Sequence, residues 1–348
     1  MQHLVFFTKY ARNGASSRLR SYQYIDLLKQ EPNIKVTVQN LFPQEYISKL
    51  YANQSIKKIA LLSYIKRLFF LFTILRYDKV VIEKELFPYL PAWAEIFLNF
   101  IGVNYIVDFD DAIFHNYDRN PNKWIRKFLG NKIKIVIKNA KIVTVGNRYL
   151  KNYALQSKAK KCFLIPTVID INRYPEKDVK QNTDFVIGWI GTPKTINLLE
   201  GNLNFIENND LNFNWITIGG KLTSSKKPYT FIPWTEESEV ENIHKLDVGI
   251  MPLLDSDFEK GKCGYKLIQY MACGIPVIAS AVGVNNDIVS EGANGFLVYE
   301  PDDWTKHLSF YINNPDQLAH MGQVARKTIE NKYTLQVQYP ILKSILIS

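Results

Sequence analysis

The sequence is poor in cysteine. Three stand in 348 residues, Cys162, Cys263 and Cys273. No spacing among them fits a metal motif or a disulfide framework, which suits a reducing compartment. Long apolar runs are missing too. None reaches the roughly 18 residues that span a bilayer. The nearest, IALLSYIKRLFFLFTIL at 59–75, is interrupted by Lys66 and Arg67. No collagen-like, coiled-coil or low-complexity stretch is present, and no repeat of fixed period. Neither GxGxxG nor GxxxxGK[ST] occurs, so the common nucleotide fingerprints are absent. The start, MQHLVFF, has too short an apolar stretch for a signal peptide and no basic region ahead of it. It reads as a first buried strand.

What is present is a chain long enough for two domains, each with its own core. Hydrophobic residues make up 47%, an ordinary share, while aromatics at 13% are high. Charge is uneven. Residues 1–172 hold 27 Lys/Arg against 12 Asp/Glu, a net of +15, and residues 173–348 hold 16 against 21, a net of −5. The first half is therefore expected to face something anionic: phospholipid, lipid-linked pyrophosphate or nucleic acid. It lacks any nucleic-acid reader motif.

Short apolar runs alternate with helix-like stretches. Strands are expected at 3–7, 35–41, 79–84, 104–110, 141–146 and 162–166, with helices at 16–29, 55–75, 90–100, 122–139 and 147–157. A polar segment with two prolines, 166–184, reads as a linker. The pattern then restarts, with strands at 185–191, 213–220, 229–234, 246–251, 276–280 and 295–299. Helices are expected between them at 195–207, 236–245, 264–273, 284–291 and 302–312, and a helical tail at 316–345. This alternation implies two doubly wound α/β halves with parallel sheets, whose strand C-termini face a common ligand cleft.

Five stretches carry chemistry. In NGASSRLRSYQY (13–24), Gly14, Ala15, Ser16 and Ser17 permit close backbone approach, and Arg18 and Arg20 add charge suited to phosphate. An ordinary cap by Ser16 or Ser17 is the alternative. In VDFDDAIFHNYD (107–118), Asp108, Asp110 and Asp111 end a buried strand, with His115 close behind. Such acids suit general base work, hydroxyl binding or a metal. Strand periodicity puts Asp108 and Asp110 on one face unless the strand has already ended. His115 alone reads as a local hydrogen-bonding residue. In GNRYL (146–150), Gly146 turns the chain and Asn147 caps a helix. GWIGTPKTINLLE (188–200) places Gly191 at a strand end and Lys194 at a helix start, where it meets a phosphate or simply solvent. Finally, in GKCGYKLIQYMACGIPVIAS (261–280), Lys262, Lys266 and the amides of 263–265 form a diphosphate cradle at a helix opening. Gln269 on that helix can bond ribose hydroxyls. The preceding loop adds Asp257 and Glu259.

A sixth stretch, IKKIALLSYIKRLFF (56–70), sets Lys57, Lys58, Lys66 and Arg67 around apolar residues. It reads as an amphipathic helix on an anionic membrane, the alternative being a core helix with solvated ends.

Together these motifs resemble the family-4 glycosyltransferases, which have the two-Rossmann GT-B fold. MPLLDSDFEKGKCGYKLIQYMACGIPVIASAVGVNNDIVSEGANGFLV looks like the family's donor-site signature. GASSRLRSYQY, EKELFP, VDFDDAIF and VGNRYL resemble a subgroup that builds bacterial surface polysaccharides, and PTVIDINRYP is similar to the stretch that ends the first domain. The resemblance implies an acceptor domain over 1–172, a nucleotide-sugar domain over 173–330 and a C-terminal helix, 331–348, returning to the first domain.

It further implies sugar transfer from a nucleotide sugar with retention and without a bound metal or other cofactor. The leaving diphosphate is then stabilised by amides and cations. Carried over by position, the amides of Cys263, Gly264 and Tyr265, with Lys262 and Lys266, meet the donor, and Lys194 lies near the diphosphate. Ile232–Trp234 holds the base, and Gly14 and Ala15 lie beside the donor. Asp110 and Asp111 match the family's His-Asp pair, with Arg18, Arg20 and His115 on the acceptor side. In a front-side mechanism the leaving phosphate takes the acceptor proton. With inversion, one of the two aspartates would be the general base. The family's two glutamates, separated by seven residues, fall here on Gly261 and Gln269, with Glu259 as the nearest carboxylate to the first.

The expected protein is a glycosyltransferase of lipopolysaccharide or capsule assembly, peripheral on the inner face of the cell membrane, with a lipid-linked or oligosaccharide acceptor. A nucleotide-sugar 2-epimerase of the same fold would need more acids and histidines than the five mostly scattered histidines offer. A non-catalytic nucleotide-sugar-binding subunit would account for the missing glutamates.

Overall fold

The structure is a computed structural model that describes residues 1–52, 54–177 and 184–347. It divides into two units. The first comprises Met1–Thr167, Gly261–Cys263 and Gln338–Ser348; the second comprises Val168–Lys260 and Gly264–Val337.

Strands of the first unit are β1 (Gln2–Tyr10), β2 (Ile34–Phe42), β3 (Lys79–Glu83), β4 (Tyr105–Phe109), β5 (Ile142–Val145) and β6 (Cys162–Leu164). They form one parallel sheet in the order β2-β1-β3-β4-β5-β6. Parallel strands buried on both faces need near-continuous apolar runs. Leu4–Thr8 of β1 and all of β5 are buried accordingly. The order reverses between β1 and β3. Beyond the C-terminal ends of the strands, at such a switch point, doubly wound sheets bind ligands.

The second unit repeats the plan with β7 (Val186–Ile190), β8 (Asn214–Ile218), β9 (Tyr229–Ile232), β10 (Val248–Met251), β11 (Val277–Ser280) and β12 (Gly295–Val298). Their order is β12-β11-β10-β7-β8-β9, again all parallel, with the switch between β7 and β10.

All twelve expected strands are found, each within a residue or two of its expected start. The helices depart more. The stretch expected at 122–139 is two helices, Lys123–Leu129 and Lys132–Asn139, parted at Gly130 and Asn131. The stretch at 195–207 likewise splits at Gly201 and Asn202. A helix at Gln44–Tyr51 was not expected. The tail is two helices, Pro315–Lys332 and Leu335–Ile347.

The chain passes from the first unit to the second between Thr167 and Val168. Part of the expected linker 166–184 is ordered in the second unit: Ile169 bridges Thr334, and Tyr174 is buried. Residues 178–183 of that linker lie outside the described residues. From Gln338 the last helix completes the first unit. Tyr339 donates to Glu31 at 2.8 Å, and Lys343 pairs with the same carboxylate at 2.6 Å. Leu342 and Leu346 close a small cavity beside Arg20 and Tyr24.

Candidate active site

In the first unit, the loop after β1 leads to the ends of β3 and β4. Gly14 caps a short helix with extended backbone, and a side chain there would meet Tyr10 Cβ at 2.5 Å. Ala15 opens that helix. Ser16 and Ser17 do not cap it; both side chains turn inward. Ser17 donates to Glu83 at 2.7 Å and accepts from the Tyr10 amide at 3.0 Å. Ser16 donates to Asp110 Oδ2 at 2.6 Å.

The expected phosphate-facing role of Arg20 does not hold. Its guanidinium is buried, with Nε and Nη2 on Asp108 at 2.9 and 2.6 Å and Nη1 on the Ile165 carbonyl at 2.7 Å. Asp108 also accepts from Thr144 at 2.6 Å. Arg18 is buried as well. The three carboxylates of 108–111 are thus divided. Strand β4 ends at Phe109, so Asp110 and Asp111 have left its alternation while Asp108 remains inside it.

Asp110 and Asp111 meet a residue that sequence reasoning missed, Lys84. It follows β3 in a left-handed conformation (φ +65°), rare for a side chain of this size. The Glu85 amide bonds the Glu83 carbonyl across it at 2.8 Å, and the Lys84 amide bonds the Asp108 carbonyl at 2.9 Å. Lys84 Nζ lies 2.8 Å from Asp110 Oδ1 and 3.5 Å from Asp111 Oδ2, and donates to Ser16 at 3.0 Å. Burial opposes its charge, but Asp110, Asp111 and Glu83 outweigh burial and hold the ammonium well above the usual lysine range. For Asp110 burial is likewise outweighed, by Lys84 and Arg20, so its carboxylate lies below the usual range. Asp111 moves the other way, up to about 6, through burial and the Asp110 charge. The cluster therefore holds one carboxylate below the usual range and one above it.

Gly261 and two residues expected at the donor, Lys262 and Cys263, belong to this unit. A side chain at Gly261 would lie 2.4 Å from Ala112 Cβ and 2.6 Å from its nitrogen. The Lys262 carbonyl accepts from Asn147 at 2.8 Å, and Cys263 Sγ donates to the Asp110 carbonyl at 3.0 Å. Asn147 also caps the Arg148–Gln156 helix, as its sequence position suggested. His115 uses both ring nitrogens locally, with Asp118 and with the Tyr149 hydroxyl, each at 2.9 Å.

In the second unit, Gly191 follows β7 directly. A Cβ there would meet the Trp189 ring at 2.4 Å and Lys266 Nζ at 3.0 Å. The Lys266 ammonium lies 4.3 Å from the centre of the Trp189 ring, a cation–π contact. Lys266 belongs to the Tyr265–Ala272 helix. The N-cap, Gly264, is left-handed (φ +68°), and no side chain caps the helix. The amides that open a helix have no partner within it. Here the first turn also lacks an acid, an arrangement that suits an anion. Lys194 is exposed in the turn after β7 and makes no ion pair or hydrogen bond among the described residues.

Gly219, after β8, has φ +84°, and a Cβ there would approach the Gly191 carbonyl at 2.4 Å and Trp234 Cβ at 3.1 Å. So Gly191, Lys266 and Trp234 gather at one end of the sheet. The Trp234 indole donates to Glu239 at 2.6 Å, and Tyr174 donates to the same buried carboxylate at 2.5 Å. Glu239 was not singled out from sequence. Gln269 is 2% exposed, and its Nε2 has no hydrogen-bond partner among the described residues. Glu259 lies on the Asp257–Lys260 helix of this unit, whereas Gly261 belongs to the first.

No helix among the described residues is long and apolar enough to cross a membrane. Also among them, no group of three His, Cys, Asp or Glu side chains could hold a metal ion.

Comparison with known proteins fits this arrangement. The D-inositol 3-phosphate glycosyltransferase of Gordonia bronchialis is 42% identical over 100 residues, which cover 28% of this chain and 21% of that protein. The match thus spans about a fifth of the curated relative's length. Three solved structures share the fold. The sucrose-phosphate synthase of Thermosynechococcus elongatus has a TM-score of 0.71 at 14% identity, covering 99% of this chain and 98% of its own. Anabaena HepE in complex with UDP has a TM-score of 0.69 at 15% identity, covering 99% of each chain. The lipopolysaccharide outer core galactosyltransferase WaaB has a TM-score of 0.67 at 14% identity, covering 99% and 98%. The two parallel α/β units are those of the GT-B architecture, and residues 189–314 of the second match the family described as "Glycosyl transferases group 1".

Proposed function

We propose that the protein is a retaining glycosyltransferase that moves a sugar from a nucleoside-diphosphate sugar to a lipid-linked or glycan acceptor of surface-polysaccharide assembly. The observation that carries this reading is the convergence of Gly191, Lys266 and the uncapped helix start at Gly264, all inside the group 1 stretch. The UDP complex of HepE supports a nucleotide-linked donor, and the WaaB likeness supports a surface-glycan acceptor.

Each residue then has a role. The amides of Tyr265 and Lys266, with the ammonium groups of Lys266 and Lys194, take the diphosphate charge as the glycosidic bond breaks. No metal is assigned to that task. Trp234, oriented by Glu239, offers an aromatic face to the base. The unpaired Gln269 Nε2 meets a ribose hydroxyl, which satisfies a buried donor otherwise costing about 1–3 kcal/mol.

The first unit supplies the acceptor chemistry. Asp110 is held by Lys84 and Ser16, so it is poorly placed to accept a further proton. That favours retention, with the leaving phosphate taking the acceptor proton. Asp111 orients the acceptor hydroxyl. The acceptor half works at the inner membrane face, consistent with the basic first half.

Incubation with the donor alone and with a lipid-linked acceptor, followed by NMR of the product, tests this reading. The expected product keeps the donor's anomeric configuration. An inverted anomer would assign Asp111 as general base, and a changed sugar from donor alone would indicate an epimerase. One observation favours a non-catalytic donor-binding subunit: Gly261, where the resemblance places a glutamate, has no room for any side chain. Nucleotide-sugar binding with the donor left intact in the presence of membranes would establish that reading.

A further inference from the structure

The Lys57–Leu71 helix is packed inside out. Its buried side chains are Ser63, Arg67 and Leu71. Arg67 is wholly buried, donating to the Gln39 side chain at 2.7 Å and to the carbonyls of Thr8, Gln39 and Leu86. It is therefore not one of the surface charges expected from the sequence. Outward instead face Leu61, Leu62, Ile65, Leu68 and Phe69, and Phe72 just beyond is 81% exposed. A helix covering a water-soluble domain turns its apolar stripe inward. This one does the reverse.

The neighbouring Trp93–Phe100 helix behaves similarly. Ala94, Glu95 and Leu98 are buried, while Trp93, Ile96, Phe97 and Phe100 are exposed, at the spacing of one helical face. The two helices are linked through Phe87, which stacks on Trp93 with centroids 5.3 Å apart and lies 5.7 Å from Tyr64. Exposed apolar faces of this kind mark an interaction site.

Charge identifies the occupant. From residue 46 to residue 77 the chain holds no carboxylate, and Lys57, Lys58 and Lys66 are exposed beside the apolar residues. A second stretch without carboxylates, 119–169, holds thirteen Lys/Arg and an exposed stacked pair, Trp124 and Phe128, with Lys127 over both rings. A two-fold contact with another copy through the Lys57–Leu71 helix would set Lys57, Lys58 and Lys66 against their own images, and that helix carries no acid. An anionic bilayer matches both the apolar face and the charge.

We propose that the outer face of the Lys57–Leu71 helix, with the exposed stripe of Trp93–Phe100 beside it, seats in an anionic lipid bilayer. Phe69, Phe72, Leu61, Ile65 and Leu68 lie below the headgroups, and Lys57, Lys58 and Lys66 lie among the phosphates. The inference rests on the reading that the acceptor is held at a membrane, and it names the surface that meets it.

The test is flotation of the full chain with vesicles of phosphatidylcholine alone or mixed equally with phosphatidylglycerol. The protein is expected to float with the mixed vesicles. Phe69→Ser/Phe72→Ser should lower the partition constant at least tenfold with an unchanged melting midpoint, since both side chains are exposed. Lys57→Gln/Lys58→Gln should weaken flotation most at low salt. Wild-type protein that stays at the bottom on the mixed vesicles overturns the proposal. So does a phenylalanine variant that floats undiminished. A concentration-dependent dimer in light scattering, broken by the same variant, would assign the face to a second copy instead. Flotation needs neither donor nor acceptor, so its failure and the failure of the glycosyltransferase reading are separate results.

Discussion

Lys84 occupies a left-handed backbone position that its side chain disfavours, and three oxygens hold its ammonium there. Lys84→Met leaves the largely buried Asp110 side chain without its cation. We expect a loss of about 3–5 kcal/mol in denaturant unfolding, the usual result of removing one partner from a buried pair. Asp111 gives a pH signature. Its carboxyl is raised from 3.8 to about 6, by burial first and then by Asp110. A carboxyl raised in the folded state binds its proton more tightly there. Its contribution to stability is therefore present below pH 3.8 and is lost as the pH rises to 6. Asp111→Asn should flatten that part of the stability profile. On the proposed role of Asp111 in orienting the acceptor, activity should rise through pH 6 in the wild type, and the variant should lose that limb.

The residue scale is also where sequence was least legible. Within EKELFP, Glu83, Lys84 and Glu85 are all buried, which the letters alone do not reveal. Nothing in the letters reveals that Arg20 pairs with a residue 88 positions away and so is withdrawn from any phosphate. The cluster of acids at 108–111 was legible, because charges ending a buried strand need partners. Which acid would be structural depended on where β4 stops.

At the scale of elements, all twelve strands could be read; the inner ones, buried on both faces, leave an unbroken apolar run. Helices were read less well. Breaks at Gly130 and Gly201 interrupt patterns that remain apolar on either side. For the Lys57–Leu71 helix, composition showed both an apolar face and cations but not which face turns inward. The Tyr265–Ala272 helix was recognised by its glycine, and the structure gives that glycine a reason. Gly264→Ala puts a Cβ into left-handed backbone at a cost of about 1–2 kcal/mol and within 2.4 Å of Ile288 Cδ1. A lowered melting midpoint and weaker nucleotide binding are expected together. At Gly261, substitution by glutamate should restore nothing. Contact with Ala112 makes it destabilising, and unfolding measurements with donor-binding assays would show both effects.

Across the whole molecule, the chain does not divide at a single linker. The first unit is completed by Gly261–Cys263 and by the stretch from Gln338 onward. Three residues borrowed from a distant loop leave no periodic signal in the sequence. Truncation after Val337 removes the buried Leu342, Ile345 and Leu346. Each is worth about 1.5–3 kcal/mol of burial. The melting midpoint of the first unit should fall, as calorimetry can follow.

The central claim is that the second unit binds a nucleoside-diphosphate sugar through Lys266 and the helix opening at Gly264. Thermal unfolding against a panel of nucleoside diphosphates and their sugars tests it most directly. One member should raise the midpoint by mass action, about 2.7 kcal/mol of stabilisation at a hundredfold excess over Kd. Lys266→Met, which keeps an apolar stem near Trp189, should reduce that shift. No shift with any member of the panel, or an undiminished shift in the variant, would contradict the account.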